Sequence, residues 1–298
     1  MKKTKQTQKT KEILKKIRQI EIKTSRIVND IFAGQYSSAF KGRGMEFSEI
    51  REYTFGDDIR NIDWNVTART AKAHIKKFVE ERELSVIIML DTSRSLYFGS
   101  LDKLKTEVAA EIAAILAFSA IKNNDKVGLI MFSDKIEKFI APKKGRQHIL
   151  RLIREILYFE PDNARTSLKV AFDYLNQVMK RSSVVFMLSD FADTNYEKQI
   201  KITNKKHDLI NIKITDMHEK KLPKVGYLTV RDNETGEIVT VNTSSRIFRK
   251  TFFANIERKE QDFEGFIKRN ALQLVNVCTT DSYINELICF FRKRSGLR

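Results

Sequence analysis

The 298-residue chain has few of the features that mark secreted, disulfide-bonded or membrane-spanning proteins. It contains two cysteines, Cys278 and Cys289, which are too few for a disulfide framework, so we expect two reduced thiols. Apolar runs such as residues 86–90 and 184–188 are far shorter than the roughly 20 residues that span a bilayer. The Lys-rich start is not followed by the apolar run of a secretory signal. These absences predict a cytoplasmic protein.

The chain also lacks the common motifs of nucleotide-binding and hydrolytic enzymes. It contains no Gly-x-x-x-x-Gly-Lys phosphate loop and no Gly-x-Ser-x-Gly nucleophile elbow. Residues 42–44, Gly-Arg-Gly, do not follow a predicted strand, so they are not a dinucleotide-binding fingerprint. The four histidines are scattered, and we interpret them as surface or hydrogen-bonded side chains: His74, His148, His207 and His218.

Proline and glycine are scarce, with three and 11 residues, while hydrophobic residues make up 42% of the chain. Such a composition can bury a sizeable core, which excludes global disorder. The length suits one large α/β domain or two smaller ones.

The net charge of +17 is concentrated at the two ends of the sequence. Residues 1–24 carry nine basic and two acidic side chains, and the last seven residues carry four basic and no acidic ones. A nucleic-acid groove would instead combine basic and aromatic side chains inside the fold. We therefore interpret the ends as solvated tails and expect no specific nucleic-acid binding. Weak attraction to an anionic membrane surface remains an alternative.

The first quarter of the chain has little periodic pattern. Residues 1–10 are predicted to be a disordered basic tail, and apolar residues at helical spacing predict an amphipathic helix over residues 11–32 that Gly34 ends. Residues 34–70 have few periodic signals and are predicted to be irregular, and residues 73–79 favour a strand. We expect three parts: the tail 1–10, an N-terminal segment 11–83, and an α/β domain 84–298.

From residue 84 onward, buried apolar runs alternate with amphipathic helices, which predicts a mostly parallel sheet with helices on both faces. The predicted strands are residues 84–90, 127–132, 136–140, 184–189 and 209–215. The predicted helices are residues 101–121, 147–157, 167–179 and 196–206. A hairpin, 227–231 with 237–241, is then predicted around the turn residues 233–236, followed by a helix, a strand and a helix over 244–269, 272–277 and 283–293.

Two of the strongest predicted strands are followed by an aspartate, Asp91 or Asp190. Ser93 and Ser95 follow the first, and Thr166 opens a predicted helix between the two strands. Ligands of open α/β sheets bind at the carboxyl ends of strands beside a switch in strand order. Mg²⁺ prefers oxygen ligands, and the set contains no His or Cys, which disfavours zinc. The alternative is that these residues are ordinary turn and helix caps.

The order Asp91, Ser93, Ser95, Thr166 and Asp190 resembles the metal-ion-dependent adhesion site of von Willebrand factor A domains. The resemblance implies a von Willebrand factor A-like fold and a bound Mg²⁺, with Mn²⁺ or Ca²⁺ as alternatives. Because two carboxylates enclose the ion only partly, a coordination position remains for a carboxylate of another protein. The sequence departs from many such domains in having Arg165, not glycine, before the threonine.

A second motif lies in residues 42–69, which combine the only tryptophan with many arginines and aspartates. Three interpretations are open for this signature segment: a folded knot of Arg–Asp pairs packed on the sheet domain, a surface that docks a partner, and a catalytic aspartate pair. In the first, Arg51, Arg60 and Arg69 would pair with Asp57, Asp58 and Asp63. The signature residues are Arg51, Tyr53, Gly56, Asp57, Asp58, Arg60, Asp63, Trp64 and Arg69.

The signature segment, with residues 81–82, resembles a bacterial family known as domain of unknown function 58, and the likeness extends over about residues 15–290. The resemblance implies a von Willebrand factor A-like protein that works with a MoxR-type AAA+ ATPase, as an adaptor or client-recognition factor. We therefore expect a non-enzymatic, cation-dependent protein-binding module. The alternative is a Mg²⁺-dependent hydrolase that acts on a phosphate ester.

Overall fold

The computed structural model describes residues 18–24, 26–28, 33–40, 45–80, 83–97, 99, 104–159, 165–220, 223–231, 238–280 and 282–296. The strands within these ranges are β1 (Met45–Glu52), β2 (His74–Glu80), β3 (Ser85–Asp91), β4 (Lys126–Phe132), β5 (Ile136–Lys143), β6 (Val184–Ser189), β7 (Asp208–Thr215), β8 (Tyr227–Arg231), β9 (Ile238–Asn242) and β10 (Gln273–Cys278). The helices are α1 (Ala33–Phe40), α2 (Trp64–Thr70), α3 (Lys105–Lys122), α4 (Arg146–Tyr158), α5 (Leu168–Val178), α6 (Glu197–Lys206), α7 (Met217–Lys220), α8 (Arg246–Arg269) and α9 (Tyr283–Gly296). Residues 18–24 and 26–28 are also helical.

Six of these strands form one central sheet in the order β10-β7-β6-β3-β4-β5. Neighbouring strands are parallel except at the edge, where β5 runs antiparallel to β4. The predicted mostly parallel α/β sheet is confirmed. β8 and β9 pair with each other as the predicted antiparallel hairpin, whose turn residues 233–236 lie outside the described residues.

The central strands lie in the middle of the sheet because their sequences are almost entirely apolar. Every residue of β6 is buried, as are residues 86–91 of β3 and 127–132 of β4. Strands of this kind are stable only when both faces are covered. The edge strand β5 is partly exposed and carries Lys138, a charged side chain of the kind that protects sheet edges.

Alternate side chains of each strand pack against two different helical layers. On one face of the sheet, Val86, Ile88 and Leu90 belong to a core that includes α1, α3, α4 and α9. On the other face, Ile87 and Met89 belong to a core that includes α5, α6 and the end of α8. The sheet is therefore covered by helices on both sides, as predicted.

Helix α1 corrects one sequence prediction. We expected Gly34 to end the first helix, but Gly34 is the second residue of α1. Tyr36 and Phe40 of this helix are buried, and the Phe40 ring packs edge-on against Phe186 of the sheet at 6.2 Å. Tertiary packing of these aromatic side chains outweighs the low helix propensity of glycine. Of the helix predicted over residues 11–32, the described residues 18–24 and 26–28 are helical.

Residues 34–70 are more regular than the sequence predicts, because they contain α1, β1 and α2. β1 pairs antiparallel with β2, and the register shifts between Phe47 and Glu49. This irregularity interrupts the two-residue alternation of the sequence and conceals the strand from a pattern search. Asp63 begins α2 by accepting hydrogen bonds from the backbone N–H groups of Asn65 and Val66.

The other predicted elements are present, with ends that differ from the predicted ones by at most four residues. The largest change is at α3, which begins at Lys105, where the sequence predicted a start at residue 101. Residues 101–103 and the predicted disordered tail 1–10 lie outside the described residues. Within the part of the chain that is described, no helix has both the length and the apolar character needed to cross a bilayer.

The buried carboxylate of Asp125 connects α1 to the sheet and is expected to make stability depend on pH. It accepts hydrogen bonds from the Tyr36 hydroxyl at 3.2 Å and from the Leu84 backbone N–H at 2.9 Å. Burial raises the pKa of Asp125 to about 6. The contribution of this carboxyl to stability is therefore fully present below about pH 4, where the carboxyl is protonated in both the folded and the unfolded protein. This contribution is lost as the pH rises from about 4 to 6.

We therefore expect Asp125→Asn to be more stable than the wild type at pH 7 to 8, by up to about 3 kcal/mol. The difference should vanish below pH 4. Urea unfolding at several pH values measures it, and an equal difference at every pH would contradict the assignment.

Candidate functional site

The polar residues predicted to bind a cation lie where the strand order of the sheet switches. From β3 the chain moves to β4 on one side, and β6 then pairs with β3 on the other side. The connections leaving β3 and β6 therefore diverge, which leaves a crevice at their carboxyl ends. Asp91 is the last residue of β3, Ser189 is the last residue of β6, and Asp190 follows it.

Asp91 is held in one orientation by two hydrogen bonds. Its carboxylate accepts one from the Ser93 backbone N–H at 2.9 Å and one from the Ser189 hydroxyl at 2.7 Å. The Ser93 and Ser95 hydroxyl oxygens are 2.9 Å apart, so the two side chains point to the same place. Three of the five predicted ligands are thus brought together on the loop that follows β3.

Electrostatics at this loop favour a positively charged ligand. Asp91 is 1% exposed, and burial raises the pKa of its carboxyl to about 7. The negative charge of Asp190 adds to this shift, so the two predicted ligands are close enough to repel. A bound cation would offset both the burial of the Asp91 carboxylate and its repulsion by Asp190, because the cation compensates their negative charge.

Asp190 has an ionic partner that the sequence did not reveal. The Lys105 ammonium, on the first residue of α3, lies 3.1 Å from an Asp190 carboxylate oxygen and 2.5 Å from Glu219 of α7. Burial lowers the pKa of Lys105, but the charges of the two carboxylates outweigh it and raise the pKa above its ordinary value. Lys105 is therefore a charged side chain that is fully buried beside the predicted cation site.

Thr166 lies on a loop that is anchored to the strand ends on both sides. The Ser167 backbone N–H donates to the carbonyl of Ser133, just after β4, and the Leu168 N–H donates to Asp193, in the loop after β6. The Thr166 hydroxyl oxygen is buried and has no hydrogen-bond partner among the described residues. Buried polar atoms are rarely left without a hydrogen bond, so this oxygen is available to bind a cation or a water molecule.

These observations fit a hard divalent cation. The donors are carboxylate and hydroxyl oxygens, which suit Mg²⁺, Mn²⁺ or Ca²⁺ better than zinc. Within the described ranges, no group of three or more His, Cys, Asp and Glu side chains could hold a metal ion. The residues that could hold the ion remain the predicted ones: Asp91, Ser93, Ser95, Thr166 and Asp190. Arg165, the departure from the adhesion-site pattern, is exposed.

The signature segment contains a rigid turn stabilised by Arg51 and Asp57. The Asp57 carboxylate accepts hydrogen bonds from the Thr54 backbone N–H at 2.8 Å and from the Arg51 guanidinium at 2.7 Å. The Thr54 N–H and then Arg51 lower the pKa of Asp57 to about 2. Gly56 has a φ of 105°, a conformation that favours glycine. The ion pair between Arg51 and Asp57 that the sequence suggested is therefore present.

The other two aspartates of the segment act mainly as helix caps. Asp58 accepts a hydrogen bond from the Arg60 backbone N–H, and the Arg60 side chain lies 3.7 Å from it on the surface. Asp63 caps α2 and pairs with Lys76 at 3.3 Å, and not with Arg69 as the sequence suggested. Both arrangements fix the local geometry of the segment.

Three large apolar side chains of the segment are exposed to solvent. Phe55, at the tip of the rigid turn, is fully exposed, Trp64 is 70% exposed and Ile59 is 66% exposed. Tyr53 is half-buried, and its backbone N–H donates to the carbonyl of Ala73. The only tryptophan of the chain is thus a surface residue. Exposed aromatic side chains are enriched at protein-binding surfaces.

Sequence reasoning missed Lys105, Glu219 and Ser189 at the strand ends. A lysine at the start of an amphipathic helix resembles any solvated surface lysine. Glu219 belongs to a short helix that the sequence did not indicate. Ser189 was read as the end of a strand, whereas its hydroxyl orients Asp91 and accepts a hydrogen bond from the Phe191 N–H at 3.0 Å.

The fold and the site define an α/β protein with carboxylate and hydroxyl side chains at the switch point of a mostly parallel sheet. The family model described as "Protein of unknown function DUF58" matches residues 49–262, and the chain belongs to this family. The chain is similar to Uncharacterized protein Rv1480 of Mycobacterium tuberculosis (strain ATCC 25618 / H37Rv). The two are 26% identical over 281 residues, which cover 93% of this chain and 88% of that protein.

Among solved structures, an aerotolerance-related membrane protein from Bacteroides fragilis NCTC 9343 is similar at a TM-score of 0.46 and 13% identity, over 72% of this chain and 100% of that one. The SpRpn10 VWA domain is similar at a TM-score of 0.39 and 11% sequence identity, over 69% of this chain and 94% of that one. Proximal thread matrix protein 1 from the mussel byssus, with a zinc occupied MIDAS motif, is similar at a TM-score of 0.35 and 15% sequence identity. The match covers 44% of this chain and 38% of that one. At these scores the likeness is distant, and neither the metal nor any partner is transferred to this chain.

Proposed function

We propose that this protein is a non-enzymatic binding module that captures a partner protein through a divalent cation. Asp91, Ser93, Ser95, Thr166 and Asp190 would hold the cation at the switch point of the sheet. The observation that carries the proposal is the buried Thr166 hydroxyl oxygen, which has no hydrogen-bond partner among the described residues. Its loop is anchored just after β4 and after β6, the two neighbours of β3, and Asp91 and the Ser93–Ser95 hydroxyl pair lie at the end of β3.

The partner would complete the coordination with an acidic side chain. Mg²⁺ takes about six oxygen ligands, and the two aspartates provide only two charges. A carboxylate from another protein can therefore bind the ion directly and add a strong, oriented contact. This chemistry explains why the site needs few carboxylates of its own.

The partner is proposed to be a MoxR-type AAA+ ATPase, with this chain as an adaptor in assembly, chaperone-like or stress-related work. The support for this identity is the family resemblance of the signature segment. Capture of the purified ATPase in Mg²⁺, lost in EDTA and lost in Asp91→Asn, would support the proposal. Capture that EDTA and Asp91→Asn both leave unchanged would overturn it. Turnover of a phosphate ester in Mg²⁺, abolished by Asp91→Asn, would favour the hydrolase alternative.

The exposed aromatic side chains of the signature segment are expected to form part of the docking surface. Phe55→Ala and Trp64→Ala should each weaken partner capture by about tenfold or more, since aromatic anchors dominate protein interfaces. Because both side chains are exposed, the free energy of unfolding should change by less than about 0.5 kcal/mol. Ile247→Ala, an 82% exposed residue of α8, is the matched control and should not change capture. Equal binding by all three variants would exclude this surface.

A further inference from the structure

The side chain of Lys105 occupies an unusual position beside the proposed cation site. Its ammonium bridges Asp190 and Glu219, and the Lys105 side chain is 0% exposed, whereas that of Glu219 is 34% exposed. Lysine is almost never fully buried unless it is paired, so the two carboxylates are the reason for its burial. Glu219 is itself oriented by the Asp216 backbone N–H, which donates to its other carboxylate oxygen at 3.1 Å.

The position of Lys105 gives no benefit to its own helix. Lys105 is the first residue of α3, where the positive end of the helix dipole repels a cation. Glu107, in the same turn, is the residue type that this end favours. The positive charge of Lys105 therefore serves the strand-end carboxylates and not α3.

The charges of the four ionisable side chains in this network would be balanced by one divalent cation. Asp91, Asp190 and Glu219 contribute three negative charges when ionised, and Lys105 contributes one positive charge, which leaves two negative charges. Of the two Asp190 oxygens, one accepts a hydrogen bond from the Ala192 N–H and the other contacts Lys105. An incoming cation that binds Asp190 on this second oxygen must share or displace the ammonium.

We propose that Lys105 is the built-in counter-ion of this site, which neutralises Asp190 without a divalent cation and competes with that cation for the Asp190 carboxylate. When a cation binds, Glu219 retains the displaced ammonium and so lowers the cost of the exchange. The inference rests on the proposed cation site, and it predicts which residues set the affinity of that site for its ion.

The test is a calorimetric titration of the full chain with Mn²⁺ at pH 8. Lys105→Met should bind Mn²⁺ about tenfold or more tightly than the wild type, because a nearby buried positive charge is removed. Glu219→Gln should bind several-fold more weakly, because the ammonium then has only Asp190 as a partner. The effect of Glu219→Gln should be smaller in the Lys105→Met background, since Glu219 acts through Lys105. Lys138→Met, which removes a lysine paired with Glu155, is the control and should bind as the wild type does.

Each outcome decides between the alternatives. A folded Lys105→Met that binds no more tightly than the wild type overturns the inference and leaves the cation site standing. If Lys105→Met does not fold, because it removes the cation that pairs with Asp190 and Glu219, Glu219→Gln decides alone. Weaker binding by that variant supports the inference, and unchanged or tighter binding overturns it. Absence of Mn²⁺ binding by both the wild type and Lys105→Met overturns the proposed function together with the inference.

Discussion

Asp91→Asn is expected to abolish high-affinity cation binding while leaving the protein folded. Changes outside the direct ligands of a metal already reduce affinity by about 10–100-fold, so loss of this carboxylate should cost about 100-fold or more. The asparagine can still accept the hydrogen bond from the Ser93 N–H, which preserves the loop. A Mn²⁺ titration measures the effect. Asp125→Asn is the matched control, because Asp125 is also buried and has a raised pKa but lies at the opposite ends of the strands. Equal Mn²⁺ affinity of Asp91→Asn and the wild type would exclude Asp91 as a ligand.

The same substitution should change how both binding and stability depend on pH. Asp91 must lose its proton to bind a metal, so Mn²⁺ affinity of the wild type should rise with pH up to about 7. Without a cation, the raised pKa of Asp91 means that the contribution of this carboxyl to stability is fully present below about pH 4 and is lost as the pH rises towards 7. Asp91→Asn removes this loss and should be more stable than the cation-free wild type at pH 8. Lower stability of Asp91→Asn at pH 8 would contradict this account of Asp91.

Phe291→Ala is expected to cause the largest loss of stability, about 3–5 kcal/mol. Phe291 of α9 is fully buried, and its ring packs against Phe40 of α1 at 5.8 Å and Phe186 of β6 at 6.3 Å. Truncation would leave a cavity where α1, α9 and the sheet meet. Unfolding in urea measures the loss.

Phe290→Ala is a matched control, because it deletes the same group from the neighbouring position of α9. Phe290 is only partly buried, so its truncation should cost clearly less. Equal losses for the two variants would mean that α9 does not close the core through Phe291.

The parallel sheet was predictable because its central strands are continuous runs of apolar residues. Uninterrupted aliphatic runs such as Val184–Ser189 must be covered on both faces, and an aspartate after such a run marks its carboxyl end. Two strands that end in this way, with hydroxyl residues nearby, led to the prediction that these side chains share one edge of the sheet. The hydroxyl contact between Ser93 and Ser95 agrees with that expectation.

The features that were missed depend on contacts between distant parts of the chain. The ion pair between Lys105 and Asp190 joins residues 85 positions apart, and nothing local distinguishes that lysine from a surface one. Continuation of α1 past Gly34 depends on Phe40 meeting Phe186 and Phe291. In the signature segment, the aspartate spacing could not reveal that Asp63 would pair with Lys76.

The most direct test of the central claim is a crystal structure of the full chain grown with Mn²⁺ and measured for anomalous scattering. The account predicts a single strong peak between the loops that follow β3 and β6, about 2.0–2.6 Å from oxygens of Ser93, Ser95 and their partners. A peak at any other place, or no peak at saturating Mn²⁺, would contradict it.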